Sequence, residues 1–177
     1  MKKFNLLFIA FIIVFTYGCK NISQRDKDFQ KISEMESKLF PDSNLSIDRK
    51  LVTDILIEYT NFVKHYPTDS VAANYLFKAG ELAMNMNLGS QAITYFNKIQ
   101  NKYPEFNKYP YCIFLQAFVY DSQLNNLEKA KEYYEFFIKK YPEHELVNDA
   151  KASIENLGKS PEEIIRSFEE KAKQDSL

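Results

Sequence analysis

Three stretches of this chain end in Tyr-Pro after the same arrangement of residues. They are Ile55-x3-Tyr59-x2-Phe62-x3-Tyr66-Pro67, Ala92-x3-Phe96-x2-Ile99-x3-Tyr103-Pro104 and Ala130-x3-Tyr134-x2-Phe137-x3-Tyr141-Pro142. The prolines lie 37 residues apart (67 to 104) and 38 apart (104 to 142), and each stretch runs 12 residues from its first residue to its proline (55 to 67, 92 to 104, 130 to 142). A fixed period of this size marks helical hairpins stacked in a line. The spacing has a mechanical cause. The second helix of a hairpin needs a small or apolar residue where it crosses the first, and larger apolar residues four and seven positions later on the same face. Proline then ends the helix and fixes the exit into the next hairpin. Such an array presents surface to other proteins and brings no catalytic apparatus of its own.

The N-terminus reads as a targeting segment. Lys2 and Lys3 precede the apolar run Leu6 to Phe15. A bilayer-spanning helix needs about 20 apolar residues, so this shorter run reads as a signal peptide over 1–18. Thr16-Tyr17-Gly18-Cys19 follows it. A small residue directly before cysteine at that point resembles a bacterial lipobox, with Thr16 where leucine is usual. The resemblance implies cleavage before Cys19 and lipidation of that residue. Lipid chains then hold the protein at a membrane, each buried methylene contributing about 0.8 kcal/mol. Residues 19–25 are expected to be a short polar tether.

The remaining composition narrows the function. Cys112 is the only other cysteine, so no internal disulfide is expected, and it reads as a small buried hydrophobe. Loss of Lys2 and Lys3 takes the formal net charge from −1 to −3. Lysines and glutamates alternate without a basic stripe, which argues against nucleic acid as a partner. Only Gly80, Gly89 and Gly158 follow the leader. Few glycines, spaced prolines and abundant Lys, Glu, Leu and aromatics fit an all-α chain.

Helical spacing then yields eight elements over 26–177, grouped as repeats at about 26–69, 70–106 and 108–144 with a partial one at 145–177. Phe29, Ile32, Met35 and Leu39 form the first stripe. Ser46 and Ser70 are expected to cap the second and third helices. Gly89-Ser90 and Asn125-Asn126 are expected turns, and residues 105–110 a longer connection. Gly158 ends the seventh helix, and Ser160-Pro161-Glu162-Glu163 starts the eighth with a cap, a proline and acids against the helix dipole.

With Leu76, Ala79-Gly80, Ala83, Ala92, Phe96, Ile99 and Pro104 in register, and Ala117, Tyr120, Ala130, Tyr134, Phe137 and Pro142 in the next unit, the chain resembles the tetratricopeptide repeat family. The resemblance covers roughly 26–158. It implies a right-handed superhelix of antiparallel hairpins, here with a C-terminal capping helix, whose first helices line a groove for partner proteins. Family groove positions fall on Asn74, Phe77, Glu81, Met84 and Asn85, then on Tyr111, Phe114, Phe118 and Asp121. Units ending in Lys-Tyr-Pro or His-Tyr-Pro, with an N-terminal lipid site, look like the lipoproteins of outer-membrane β-barrel assembly. They also look like the periplasmic repeat protein of the Tol–Pal system. Those likenesses imply an outer-membrane, periplasm-facing location and other envelope proteins as partners, held as an extended peptide or a helix.

No catalytic, metal or cofactor constellation emerges. Gly158-Lys159-Ser160 lacks the upstream glycine and strand of a phosphate-binding loop. His65 and His144 have no ligand spacing to each other or to cysteine. The pairs Glu162-Glu163 and Glu169-Glu170 read as a solvated helix face.

Overall fold

The computed structural model of the chain describes residues 22–39 and 48–175. The expected signal peptide, Cys19 and Ser46 lie outside them. Eight helices follow in order: α1 Gln24–Leu39, α2 Arg49–His65, α3 Ala72–Asn85, α4 Gly89–Lys102, α5 Tyr109–Ser122, α6 Leu127–Lys140, α7 Val147–Asn156 and α8 Pro161–Asp175. No strand occurs among the described residues. Helices pack chiefly on their chain neighbours, most extensively within the pairs α3–α4 and α5–α6. This is the nearest-neighbour pattern of stacked hairpins.

The three Tyr-Pro corners are the same structure built three times. Tyr66, Tyr103 and Tyr141 have φ of −128°, −136° and −131°, with ψ of 59°, 56° and 60°. Each donates its backbone N–H to the carbonyl four residues back, Phe62, Ile99 or Phe137, at 2.8, 2.8 and 2.9 Å. Each carbonyl then accepts from the third residue on, Asp69, Phe106 or His144, at 3.1, 3.0 and 3.0 Å. The cause is local. A residue before proline is pushed out of helical geometry, so the helix must stop there.

The residues upstream of each corner occupy matching depths. Ile55, Ala92 and Ala130 are fully buried at the crossing points, followed by Tyr59, Phe96 and Tyr134, then Phe62, Ile99 and Phe137. Each large apolar side chain removed from water contributes about 1.5–3 kcal/mol. Gly80 lies where α3 meets α4. A Cβ there would stand 2.4 Å from the Phe96 ring, so only glycine permits this approach.

Several helix ends differ from the sequence reading. α1 begins at Gln24, inside the expected tether, because Ser23 and Asp26 cap it: the Asp26 N–H donates to Ser23 Oγ at 3.1 Å. Asp48 caps α2, accepting from the N–H groups of Lys50 and Leu51. Ser70 does not cap α3; Asp69 accepts the Val71 N–H at 3.0 Å instead. The α3–α4 turn is made by Asn87 at φ 58°, and Gly89 is already the buried first residue of α4. Pro110 sits in the first turn of α5 rather than in the loop before it, where its missing N–H costs nothing.

The expected turn at Asn125 is present, with φ 48°, and the Asn126 side chain caps α6 by accepting the Lys129 N–H at 3.0 Å. Gly158 ends the seventh helix at φ 75°. Ser160 and Glu163 then form a reciprocal capping box, with bonds of 2.7 and 3.2 Å. The covering of the third hairpin is done by α7, whose Val147 and Ala150 are buried against α6. α8 adds no fully buried residue among its described side chains, and Ile165 is 58% exposed.

Candidate partner-binding face

The odd-numbered helices α1, α3 and α5 open each hairpin and share one face of the stack. Its best-formed feature is a cleft of about 390 Å³ between the first two hairpins. Glu36 and Leu39 of α1, Tyr59 of α2, and Lys78, Glu81 and Asn85 of α3 line it. Glu36 Oε1 accepts from the Tyr59 hydroxyl at 2.6 Å and from Lys78 Nζ at 2.8 Å. Burial first, and the Glu36 carboxylate second, push the Tyr59 hydroxyl pKa well up, so it stays a donor.

Glu81 stands apart from that network. It is half-buried and accepts no hydrogen bond from a described residue. Burial raises its pKa, while the charges of Lys108 and Lys78 oppose the rise. A half-buried carboxylate with unused acceptor capacity suits an N–H or ammonium donor from outside.

Of the predicted groove residues, Phe77, Glu81, Met84, Tyr111, Phe114 and Phe118 divide. Phe77 is not on the groove: it is 3% exposed, packed between Phe96 of α4 and Phe106, with ring centroids at 6.1 and 6.0 Å. The connection after Pro104 is no longer than those after Pro67 and Pro142, since α5 starts at Tyr109 as α3 does at Ala72 and α7 at Val147; it folds Phe106 over the ring, and Lys108 Nζ closes the remaining side at 4.6 Å. Phe114 is half-buried, with edge contacts at 5.6 Å to both Tyr134 and Phe137, and belongs mainly to the third core cluster. Met84 is half-buried in the second cluster, and its carbonyl accepts from Gln123 Nε2 at 2.8 Å across the hairpin boundary.

Glu81, Tyr111 and Phe118 keep access to solvent. Tyr111 donates its hydroxyl to Glu145 and meets the His144 ring edge-on at 4.8 Å. Phe118 is 40% exposed. Asp121, one turn on from Phe118, is half-buried, and its carboxyl pKa is raised by that burial. Glu36 and Lys78 were missed from the sequence. Their signal was their place one position from the apolar stripes of α1 and α3.

No group of three or more His, Cys, Asp or Glu side chains that could hold a metal occurs among the described residues. His144 is half-buried, with Nδ1 accepting the Leu146 N–H at 3.2 Å. Cys112 is fully buried, and desolvation pushes its thiol pKa up to about 12, so it is a packing residue rather than a nucleophile.

Residues 75–105 and 111–144 match the tetratricopeptide repeat family. No curated protein matches the chain. The matched segments coincide with the hairpins α3–α4 and α5–α6 and stop short of α1–α2, where Ile55 takes the place of the small crossing residue. Repeats of this family mediate protein–protein interaction. Two segments of the chain, over the hairpins α3–α4 and α5–α6, are therefore similar to tetratricopeptide repeats and sit in an all-α array of helical hairpins.

Proposed function

We propose that this chain is a lipid-anchored scaffold of a bacterial envelope, binding a partner protein on the face of its odd-numbered helices. The observation that carries the binding half is the pair of accessible groups that the described residues leave on that face. Glu81 offers a half-buried carboxylate without a described donor, and Phe118 offers an exposed aromatic ring on the next hairpin. An acceptor and an apolar anchor on neighbouring repeats fit an extended segment or a helix carrying a basic or amide donor and an apolar side chain.

The anchoring half rests on the Leu6–Phe15 run and Gly18-Cys19. Anchoring confines the protein to a surface, so a weak contact is occupied more often than it would be in solution. The partner class that the Lys-Tyr-Pro units favour is a component of outer-membrane β-barrel assembly, with the protein facing the periplasm.

Metabolic labelling with a radioactive fatty acid tests the anchor: wild type incorporates label and Cys19→Ser does not. Co-purification of a barrel-assembly component with wild type, lost in a Glu81→Ala/Phe118→Ser variant, tests the face. Retrieval of Tol–Pal or cell-wall synthesis proteins instead contradicts the assembly role.

A further inference from the structure

The corners between hairpins form one row, and the row starts where the chain enters the fold. Arg25, in the first turn of α1, pairs with Asp69 just after the first corner, Nε to Oδ2 at 2.8 Å. Tyr66 of that corner donates to Asp28 of α1 at 2.9 Å. Tyr103 of the second corner donates to the Pro67 carbonyl at 2.8 Å. Lys140 beside the third corner stands 5.0 Å from the ring of Tyr109, which opens α5 after the second. The N-terminal end of α1 and all three Tyr-Pro corners thus share one edge of the stack, formed by helix ends.

That edge has a particular make-up. Lys64, Lys102, Lys108, Lys139 and Lys140 are exposed on it, against the exposed glutamates Glu105, Glu143 and Glu145. Tyr66, Tyr103, Tyr109 and Tyr141 are half-buried beside them. Tyrosines at the level of lipid headgroups, with lysines reaching phosphates, are the pairing found where protein meets a membrane surface. The tether leaves little choice of distance. Cys19 is five residues from Gln24, a reach of about 17 Å at full extension.

We infer that the Tyr-Pro edge rests on an anionic phospholipid surface, so that the helices stand on end and the odd-helix face runs beside the membrane. This rests on lipidation of Cys19 and adds an orientation to it. Asp26, Asp28 and Asp69 also sit near the entry point, where Arg25 pairs with Asp69 and Asp26 and Tyr66 donates to Asp28, so the attraction falls to the lysines of the second and third corners. A partner segment crossing α1, α3 and α5 then lies parallel to the bilayer.

The test uses the full lipidated chain in vesicles of phosphatidylglycerol and phosphatidylethanolamine. Single cysteines carry a fluorophore at Glu105→Cys or Glu143→Cys on the corner edge, and at Gln91→Cys or Glu128→Cys on the opposite edge. Buried Cys112 stays unlabelled. Nitroxide-bearing lipids are expected to quench the first two sites several-fold more than the last two. Replacing Lys64, Lys102, Lys139 and Lys140 together by glutamine, with helical circular dichroism retained, is expected to remove most of that difference. Equal quenching at both edges of a lipidated chain overturns the orientation and leaves the anchor standing. Quenching that survives the glutamine substitutions overturns the charge attraction. An N-terminal peptide mass showing unmodified Cys19 overturns the anchor, and the orientation with it.

Discussion

The hydroxyl of Tyr103 donates to the carbonyl of Pro67, 36 residues earlier, over 2.8 Å. The residue that closes one hairpin thereby fastens the corner that closed the previous one. The bond is solvent-exposed, so its net worth sits at the low end of the usual range of about 0.5–1.5 kcal/mol. Tyr103→Phe is expected to lower the urea midpoint by a corresponding amount with an unchanged slope. A variant as stable as wild type contradicts a stapling role.

Gly80 predicts a larger effect. A methyl group there meets the Phe96 ring at 2.4 Å, and that ring is fully buried. Gly80→Ala is expected to cost about 1–3 kcal/mol through overpacking. Adding Phe96→Leu makes room, so the double variant is expected to lose less than the sum of the two single losses. Additive losses in denaturant unfolding contradict the direct clash.

Phe77 and Phe118 are expected to behave in opposite ways. Phe77→Ala opens a cavity in the second core cluster and costs about 3–5 kcal/mol. Phe118→Ala removes an exposed ring and is expected to shift stability by less than about 0.5 kcal/mol, while weakening partner capture. Denaturation and pull-down on the same pair of variants separate the two roles.

Asp69 gives the first corner a pH dependence. The Arg25 guanidinium, and after it the Val71 N–H, hold its carboxyl below the ordinary carboxylate range. A lowered folded pKa adds stability above the unfolded value of about 3.9, and that stability is lost as pH falls through the folded value. Wild type is therefore expected to lose stability between about pH 5 and pH 2 more steeply than Asp69→Asn, with a constant gap above that window. Parallel curves across the whole range contradict the pairing.

The array was legible in the sequence because its corners are written locally. Tyr66-Pro67, Tyr103-Pro104 and Tyr141-Pro142 end helices by chain sterics alone, and the fixed distance back to Ile55, Ala92 and Ala130 sets the crossing depth. The helix starts were less legible. Ser and Asp both cap, so the spacing points to Ser70 as readily as to Asp69, and only the three-dimensional corner, where Asp69 accepts the Val71 N–H, decides between them. The binding face was least legible. Phe77 and Glu81 occupy the same side of α3 in sequence, yet Phe106 from the following corner buries the first and leaves the second half-open. That covering depends on where the turn after Pro104 sets Phe106 against α3, a long-range effect that helical periodicity does not encode.

The central claim is that a partner occupies the face of the odd-numbered helices. Photo-crosslinking amino acids placed singly at Glu81 and Phe118, and at the exposed even-helix positions Thr94 and Glu132, test it in intact cells. One shared crosslinked protein is expected at Glu81 and Phe118, and none at Thr94 or Glu132. The same protein crosslinked from Thr94 and Glu132 but not from Glu81 and Phe118 contradicts it.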